Sequence, residues 1–211
     1  MKKIIITVDG PAASGKGKIS KYISRKWNYK HLDSGILYRN LAYIFLQNGI
    51  NLNSTKEIKK IINKKNTISY RKSKKLRTEK ISKIASKIAV HQFVRNFINK
   101  FQRKFIKSNL KNRNFVIDGR DIGSVVFKNA DLKLYIDVSE KNRAKRRYKQ
   151  LIDNGEKSIY PQILKDIKLR DKKDKARKNS PLVIPKGAFI IDNNSSFRNT
   201  SLQINKLIKK I

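Results

Sequence analysis

The start of the chain restricts the fold more than any other segment. Lys3–Val8 reads as a buried strand, a β-branched run that breaks at Asp9-Gly10-Pro11. Gly10, Pro11, Ala12, Ala13, Ser14, Gly15 and Lys16 follow, then Gly17 and Lys18. Ile19, Tyr22, Ile23 and Trp27 recur next at helical spacing. In a strand–loop–helix context, glycines let successive N–H groups turn inward, and the helix N-terminus adds partial positive charge. Lys16 then reaches the β- and γ-phosphates of a nucleotide as a point charge. Gly10 to Lys18 are therefore candidate ATP ligands, and Lys16 a candidate catalytic residue. The bland alternative is a glycine turn before a helix with an incidental lysine. The loop alone fits GTPases, ATPases and kinases equally.

The remaining pattern alternates. Tyr29–Leu32 reads as a short strand, and Tyr38, Leu41, Ala42 and Phe45 as a helix stopped near Asn48-Gly49. Residues from Ile50 to Arg77 are polar, lysine-rich and weakly periodic, a surface insertion without assignable elements. Helical spacing returns at Ile81, Ile84, Ala85 and Ile88, and again at Val94, Phe97, Ile98, Phe101 and Phe105. Asn114–Asp118 and Leu132–Asp137 are strand candidates that each end in aspartate. Ser139–Asp153 reads as a helix, Ser158 as the cap of another through Arg170, Ala188–Asp192 as a last strand and Ser196–Ile211 as a closing helix. A charged stretch from Ile167 to Lys178 interrupts the pattern, where a mobile flap is expected. Alternating strands and helices predict an α/β fold, with a central parallel sheet covered on both faces.

Composition excludes more than it assigns. With 211 residues the chain suffices for one α/β domain with small lobes. The absence of cysteine rules out disulfides and thiolate metal sites. No run approaches the ~18 apolar residues that span a bilayer, so a cytoplasmic location and no membrane partner are expected. The formal charge of +37 invites a nucleic-acid reading. The lysines are scattered, however, as at Lys59-Lys60, Lys74-Lys75 and Lys172-Lys173, and no basic arm with interleaved aromatics stands out. No nucleic-acid partner is expected. His31 and His91 have no ligand spacing and read as structural.

Further segments narrow the loop's meaning: Leu32-Asp33-Ser34-Gly35 with Tyr38-Arg39, Leu76-Arg77-Thr78, Asp118-Gly119-Arg120-Asp121-Ile122-Gly123-Ser124-Val125-Val126-Phe127, and Arg170 to Arg177 followed by Ser180-Pro181-Leu182. In this order, nearly end to end, they resemble bacterial cytidylate kinases. The resemblance implies a P-loop NTPase fold: a core of about 1–33, 90–150 and 186–211, a monophosphate-binding lobe of about 34–89, and a lid of about 151–185. It implies ATP and CMP or dCMP as substrates, Mg²⁺ carried by ATP, and a monomer. By position, Ser34 and Arg39 match lobe residues near the CMP phosphate, and Ser86 and Arg95 match contacts to the cytosine edge. Arg120 matches a phosphate-binding arginine, and Asp121 a carboxylate that recognises the base. Arg170 and Asp174 match a pair on the ribose hydroxyls, and Arg177 a further phosphate ligand. Arg120 and Arg177 join Lys16 as catalytic candidates.

The chemistry of these residues agrees. A cytosine amino group needs an acceptor such as Asp121, its carbonyl a donor such as Arg95, and phosphates suit guanidinium forks. At their spacing Arg170, Asp174 and Arg177 would share one helix face, where an ordinary salt-bridged surface is the alternative. Asp118 either caps a turn or holds a water of Mg²⁺ or a nearby arginine. Arg143, Arg146 and Arg147 either cover ATP phosphates or supply solvated charge. The chain departs from the family in two places. Lys18 stands where many nucleotide kinases carry threonine, which leaves it near the α-phosphate or turned to solvent, and the 50–77 insertion is short. The competing functions are another small-molecule kinase for UMP, AMP or shikimate, or a nucleic-acid-binding ATPase or GTPase. A guanine-reading Asn-Lys-x-Asp segment is missing, since Asn63-Lys64 lacks the aspartate.

Overall fold

The β-branched runs form strands because their side chains suit a pleated surface. The computed structural model describes residues 3–65, 67–70, 73–109 and 114–211. Its strands are β1 (Ile4–Asp9), β2 (Lys30–Asp33), β3 (Asn114–Asp118), β4 (Leu132–Asp137) and β5 (Phe189–Asp192). They make one five-stranded sheet in the order β2-β3-β1-β4-β5. β1 pairs in parallel with both β3 and β4, and β4 with β5. The register sets Val8 opposite Asp118 and Asp9 opposite Tyr135, so the chemistry-bearing aspartates share the C-terminal edge.

The helices are α1 (Lys16–Trp27), α2 (Ser34–Gln47), α3 (Thr55–Lys64), α4 (Glu79–Ile88), α5 (Gln92–Ser108), α6 (Glu140–Asp153), α7 (Tyr160–Lys175) and α8 (Phe197–Ile208). The chain divides into two units, one of Met1–His31 with Asn112–Ile211, the other of Leu32–Lys111. In the first, Ile6, Val8, Val116, Leu134 and Ile136 of the sheet bury against Ile19 and Ile23 of α1 and Ile204 of α8. α6 and α7 of this unit share their own apolar contact through Ala144, Leu151, Ile163 and Ile167. The second unit is helical, its core built from Leu37, Leu41 and Phe45 of α2, Ile58 of α3, Ile81 and Ile88 of α4, and Val94 and Ile98 of α5.

The structure amends the sequence reading in four places. α5, grouped with the core by sequence, packs in the helical unit through Val94, Ile98 and Phe101. The 50–77 segment carries α3: Ser54 caps it by accepting from the Glu57 N–H at 3.3 Å, and Ile58 and Ile62 are buried. Residues 66, 71 and 72 of that segment lie outside the described ones. α7 begins after Ile159 rather than at a Ser158 cap, with Pro161 in its first turn. It continues to Lys175, where a flap was expected, because Asp171 and Asp174 turn inward and are buried. Arg177 consequently lies just past the helix end and does not share its face.

Since Ile58 is fully buried in the helical core, Ile58→Ala should lower unfolding free energy by about 2–4 kcal/mol in urea titrations followed by circular dichroism. Lys60→Ala, on the exposed face of the same helix, should change it by less than ~0.5 kcal/mol.

Candidate active site

The phosphate loop leaves β1 through Gly10 and enters α1 at Gly15, whose φ of 89° lies in the left-handed region. No side chain caps α1; the Lys18 N–H turns back to the Gly15 carbonyl at 3.0 Å, and the N–H groups before it open the helix toward an anion. Lys16 folds back across the loop and donates from Nζ to the Pro11 carbonyl at 2.5 Å and to Ser14 Oγ at 3.2 Å. Burial, then repulsion from Arg120, brings the Lys16 pKa from its usual 10.5 down to about 7, with Arg170 adding to the repulsion. Asp118 and Asp9 pull in the opposite direction.

Asp9 at the end of β1 is a functional residue that the sequence reading passed over. Its two carboxylate oxygens accept from the backbone N–H groups of Ile122 at 2.8 Å and Gly123 at 2.7 Å. These bonds hold a wide helical turn over Ile122–Val126, closed by a bond from the Phe127 N–H to the Ile122 carbonyl. The fit requires glycine at position 123, because a Cβ there would stand 2.7 Å from Thr7 Oγ1. Full burial raises the Asp9 pKa to about 7, and the charge on Asp121 adds to the rise. The two N–H groups and Lys16 oppose it.

Arg120, between β3 and that turn, meets Asp174 of α7 at 2.7 Å, and Arg177 meets the other oxygen of Asp174 at 3.4 Å. The structure thus joins Arg120, Asp174 and Arg177, while Arg170 is close enough to act on Lys16. Asp174, expected on ribose, here bridges guanidinium groups. Asp121 is buried beside the turn. Asp118 pairs with His31 Nε2 at 2.5 Å, which gives that histidine a specific partner.

Arg143 is withdrawn from solvent: it donates to Asp171 at 2.5 Å and to the carbonyls of Val138 and Ala12, bracing α6 and α7 against the loop. Arg146 donates to the Asn193 carbonyl at 2.7 Å, and Arg147 to Gln150 on its own helix. Lys18 is exposed, its ammonium 4.2 Å from the centre of the Phe197 ring. Asn193, which follows β5 and donates to the Ser14 carbonyl at 2.8 Å, was also missed. Its sole sequence signal is its place after a strand that ends at the same sheet edge.

In the helical unit, Asp33 Oδ1 caps α2 by accepting from the Ile36 N–H at 3.2 Å, and Oδ2 holds Arg39 at 3.0 Å. Ser34 is buried and its Oγ has no hydrogen-bond partner. Arg95 is buried and donates from Nε to the Ala89 carbonyl at 2.8 Å, with its guanidinium 6.0 Å from the Tyr38 ring centre. Ser86 lies on α4, partly exposed.

Comparisons with known proteins place the chain in a family. A family model described as cytidylate kinase matches residues 6–211. A cytidylate kinase of Fusobacterium nucleatum is 36% identical over 233 residues, covering 100% of both chains. One of Rickettsia felis is 40% identical over 187 residues, covering 89% of this chain and 83% of its own. Among solved structures, TT1252 from Thermus thermophilus has a TM-score of 0.53 at 15% identity, covering 100% of this chain and 99% of its own, a likeness of fold. With its phosphate loop, parallel sheet and full-length similarity in place, the chain belongs to the cytidylate kinase family.

Proposed function

We propose that the protein transfers the γ-phosphoryl group of ATP to CMP or dCMP, giving ADP and CDP or dCDP. One observation carries this reading: Lys16, Arg120, Arg170 and Arg177 are gathered about an uncapped helix N-terminus. Burial first, and repulsion from Arg120 after it, partly suppress the charge on Lys16. A polyphosphate relieves that repulsion. The activity for which its relatives are named supports CMP as the acceptor.

In this reading Gly10 to Gly17 hold the ATP phosphates, with the Lys18 side chain turned away onto Phe197, while Ser34, Arg39, Ser86, Arg95, Arg120, Asp121, Arg170, Asp174 and Arg177 serve CMP. The orphaned Ser34 hydroxyl supports its role, since a buried polar atom without a partner costs stability unless a ligand satisfies it. Asp121 accepts from the cytosine amino group and Arg95 donates to its carbonyl. The attacking oxygen belongs to the CMP phosphate and is already anionic, so no general base is required. Arg120 and Arg177 neutralise charge on the phosphoryl group in flight, with Asp174 keeping both guanidinium groups in place before substrate arrives. Water must be kept out, because it would otherwise accept the group.

Among the described residues, no group of three or more His, Asp or Glu side chains could hold a metal. Asp9 spends both oxygens on backbone N–H groups. This donor set fits a magnesium ion carried on the ATP phosphates, with Asp118 holding one of its waters; when bound, the ion withdraws charge from the phosphates. No described helix is long and apolar enough to cross a membrane. A cytoplasmic monomer acting without nucleic acid completes the proposal.

A coupled ADP-release assay with CMP, dCMP, UMP and AMP tests the reading: CMP and dCMP should be preferred, and added RNA should not stimulate turnover. Failure to phosphorylate CMP sinks it. Arg120→Ala should reduce kcat by about 10² or more, and Arg120→Lys should restore little because an ammonium lacks the planar fork.

The shifted groups set a pH signature. Lys16 and Asp9 both titrate near 7 without nucleotide, and phosphate charge favours the protonated form of each. At about pH 8, ATP binding should therefore take up protons, seen as a dependence of calorimetric heat on buffer ionisation enthalpy. Lys16→Ala should diminish the uptake. Lys18 instead rests on Phe197, so Lys18→Thr should alter ATP and Mg²⁺ affinity by less than about threefold in equilibrium binding.

A further inference from the structure

Asn193 stands immediately after β5, where its backbone N–H donates to the Asp137 carbonyl at 3.0 Å and extends the β4–β5 ladder by one step. Its side chain is buried, with 5% exposure. The amide has one orientation. A backbone carbonyl can only accept, so the nitrogen must face Ser14 O, at 2.8 Å. The oxygen then faces Thr200 of α8, whose hydroxyl donates to it at 2.8 Å. Arg146 of α6 donates to the backbone carbonyl of Asn193 at 2.7 Å. The residue is thus held from β4, α6 and α8, and it grips the phosphate loop.

The grip falls on the peptide that joins Ser14 to Gly15. In a trans peptide the carbonyl and the following N–H point in opposite directions. Fixing the Ser14 carbonyl on Asn193 therefore turns the Gly15 N–H to the other side, away from Asn193. Gly15 is left-handed and opens α1, which has no side-chain cap. A Cβ on Gly15 would come within 2.6 Å of Asn193 Nδ2, so the amide sits directly against this glycine. Lys16 closes over the same loop: its ammonium reaches back to Pro11 O and Ser14 Oγ.

From this geometry we infer that Asn193 is a positioning residue for the ATP phosphates: it holds the Ser14–Gly15 peptide so that the Gly15 N–H serves the loop. It acts through the peptide without touching the nucleotide phosphates itself. Thr200 acts one step further back, by fixing the direction of the amide. The inference rests on the loop's binding ATP, as proposed above, and is silent on which monophosphate is the acceptor.

The test compares wild type with Asn193→Ala, Asn193→Asp and Thr200→Val. ATP affinity is measured by calorimetry with no second substrate, which keeps the result independent of whether CMP is the acceptor. KM for ATP and for CMP, kcat and Tm are measured beside it. Loss of one hydrogen bond should weaken ATP binding by about tenfold in Asn193→Ala. Asn193→Asp is isosteric but sets a carboxylate oxygen against the Ser14 carbonyl, and should lose more than Asn193→Ala. Thr200→Val should lose about threefold, since it loosens the amide without removing it. KM for CMP at saturating ATP should stay within about twofold of wild type in all of them. Equal rises in KM for ATP and CMP, or unchanged ATP affinity in both Asn193 variants, would overturn the inference. Should the Asn193 variants fail to fold, the same split in Thr200→Val decides the matter, and unchanged ATP affinity there overturns it.

Discussion

The contact on which the site depends joins a buried side chain to backbone: the Asp9 carboxylate accepts from the N–H groups of Ile122 and Gly123. Parallel pairing already lays β1 beside β3, with Val8 opposite Asp118. Beyond the ends of the strands the ladder stops, and nothing in the sheet prevents the two loops from diverging. Asp9 closes that gap. Because it accepts at both oxygens and is fully buried, it fixes the turn that carries Arg120 and Asp121 relative to the strand that carries the phosphate loop. Gly123 completes the fit by leaving no Cβ between this turn and Thr7.

The electrostatics of the sheet unit follow from the same closeness. Lys16, Arg120, Arg170 and Arg177 are cations in a chain whose surface is already strongly positive. Scattered surface lysines are screened by solvent and ions, and each contributes little. Arg120 and Arg177 differ because they are partly desolvated and ordered by Asp174. Cations gathered this closely repel one another, and a bound polyphosphate offsets that repulsion. The +37 charge and the active-site charge are therefore separate matters. The first follows from lysine-rich composition, the second from particular guanidinium positions.

The parts legible in the sequence were those in which local pattern and tertiary role coincide. β3 and β4 match their predicted limits, because a short, largely apolar run ending in aspartate has few other uses. The phosphate loop was legible because strand, glycine, lysine and helix must follow one another. α3 was hidden because lysines surround Ile58 and Ile62 and swamp the apolar periodicity, although Ser54 and Glu57 offered a capping signal. The end of α7 is hidden in the sequence because its inner face carries Asp171 and Asp174, polar residues with a solvent pattern that Arg143 and Arg120 pair from elsewhere. Asn193 had no periodic signature. Its role exists only where β5, α8 and the phosphate loop converge.

That contrast explains how a phosphate loop can carry lysine where a hydroxyl is usual. A threonine after Gly17 would add one more ligand from α1 itself, a local contribution. Here much of the loop's definition comes from outside it: Asn193 grips the Ser14 carbonyl, Arg143 the Ala12 carbonyl, and Asp9 ties the neighbouring turn. With those three braces supplied from β5, α6 and β1, the loop's shape does not require position 18. The Lys18 side chain can leave the site and lie on Phe197, at 4.2 Å from the ring centre. The departure from the family pattern is thus accommodated by tertiary contacts that hold the loop from the sides, leaving its inward N–H groups for phosphate.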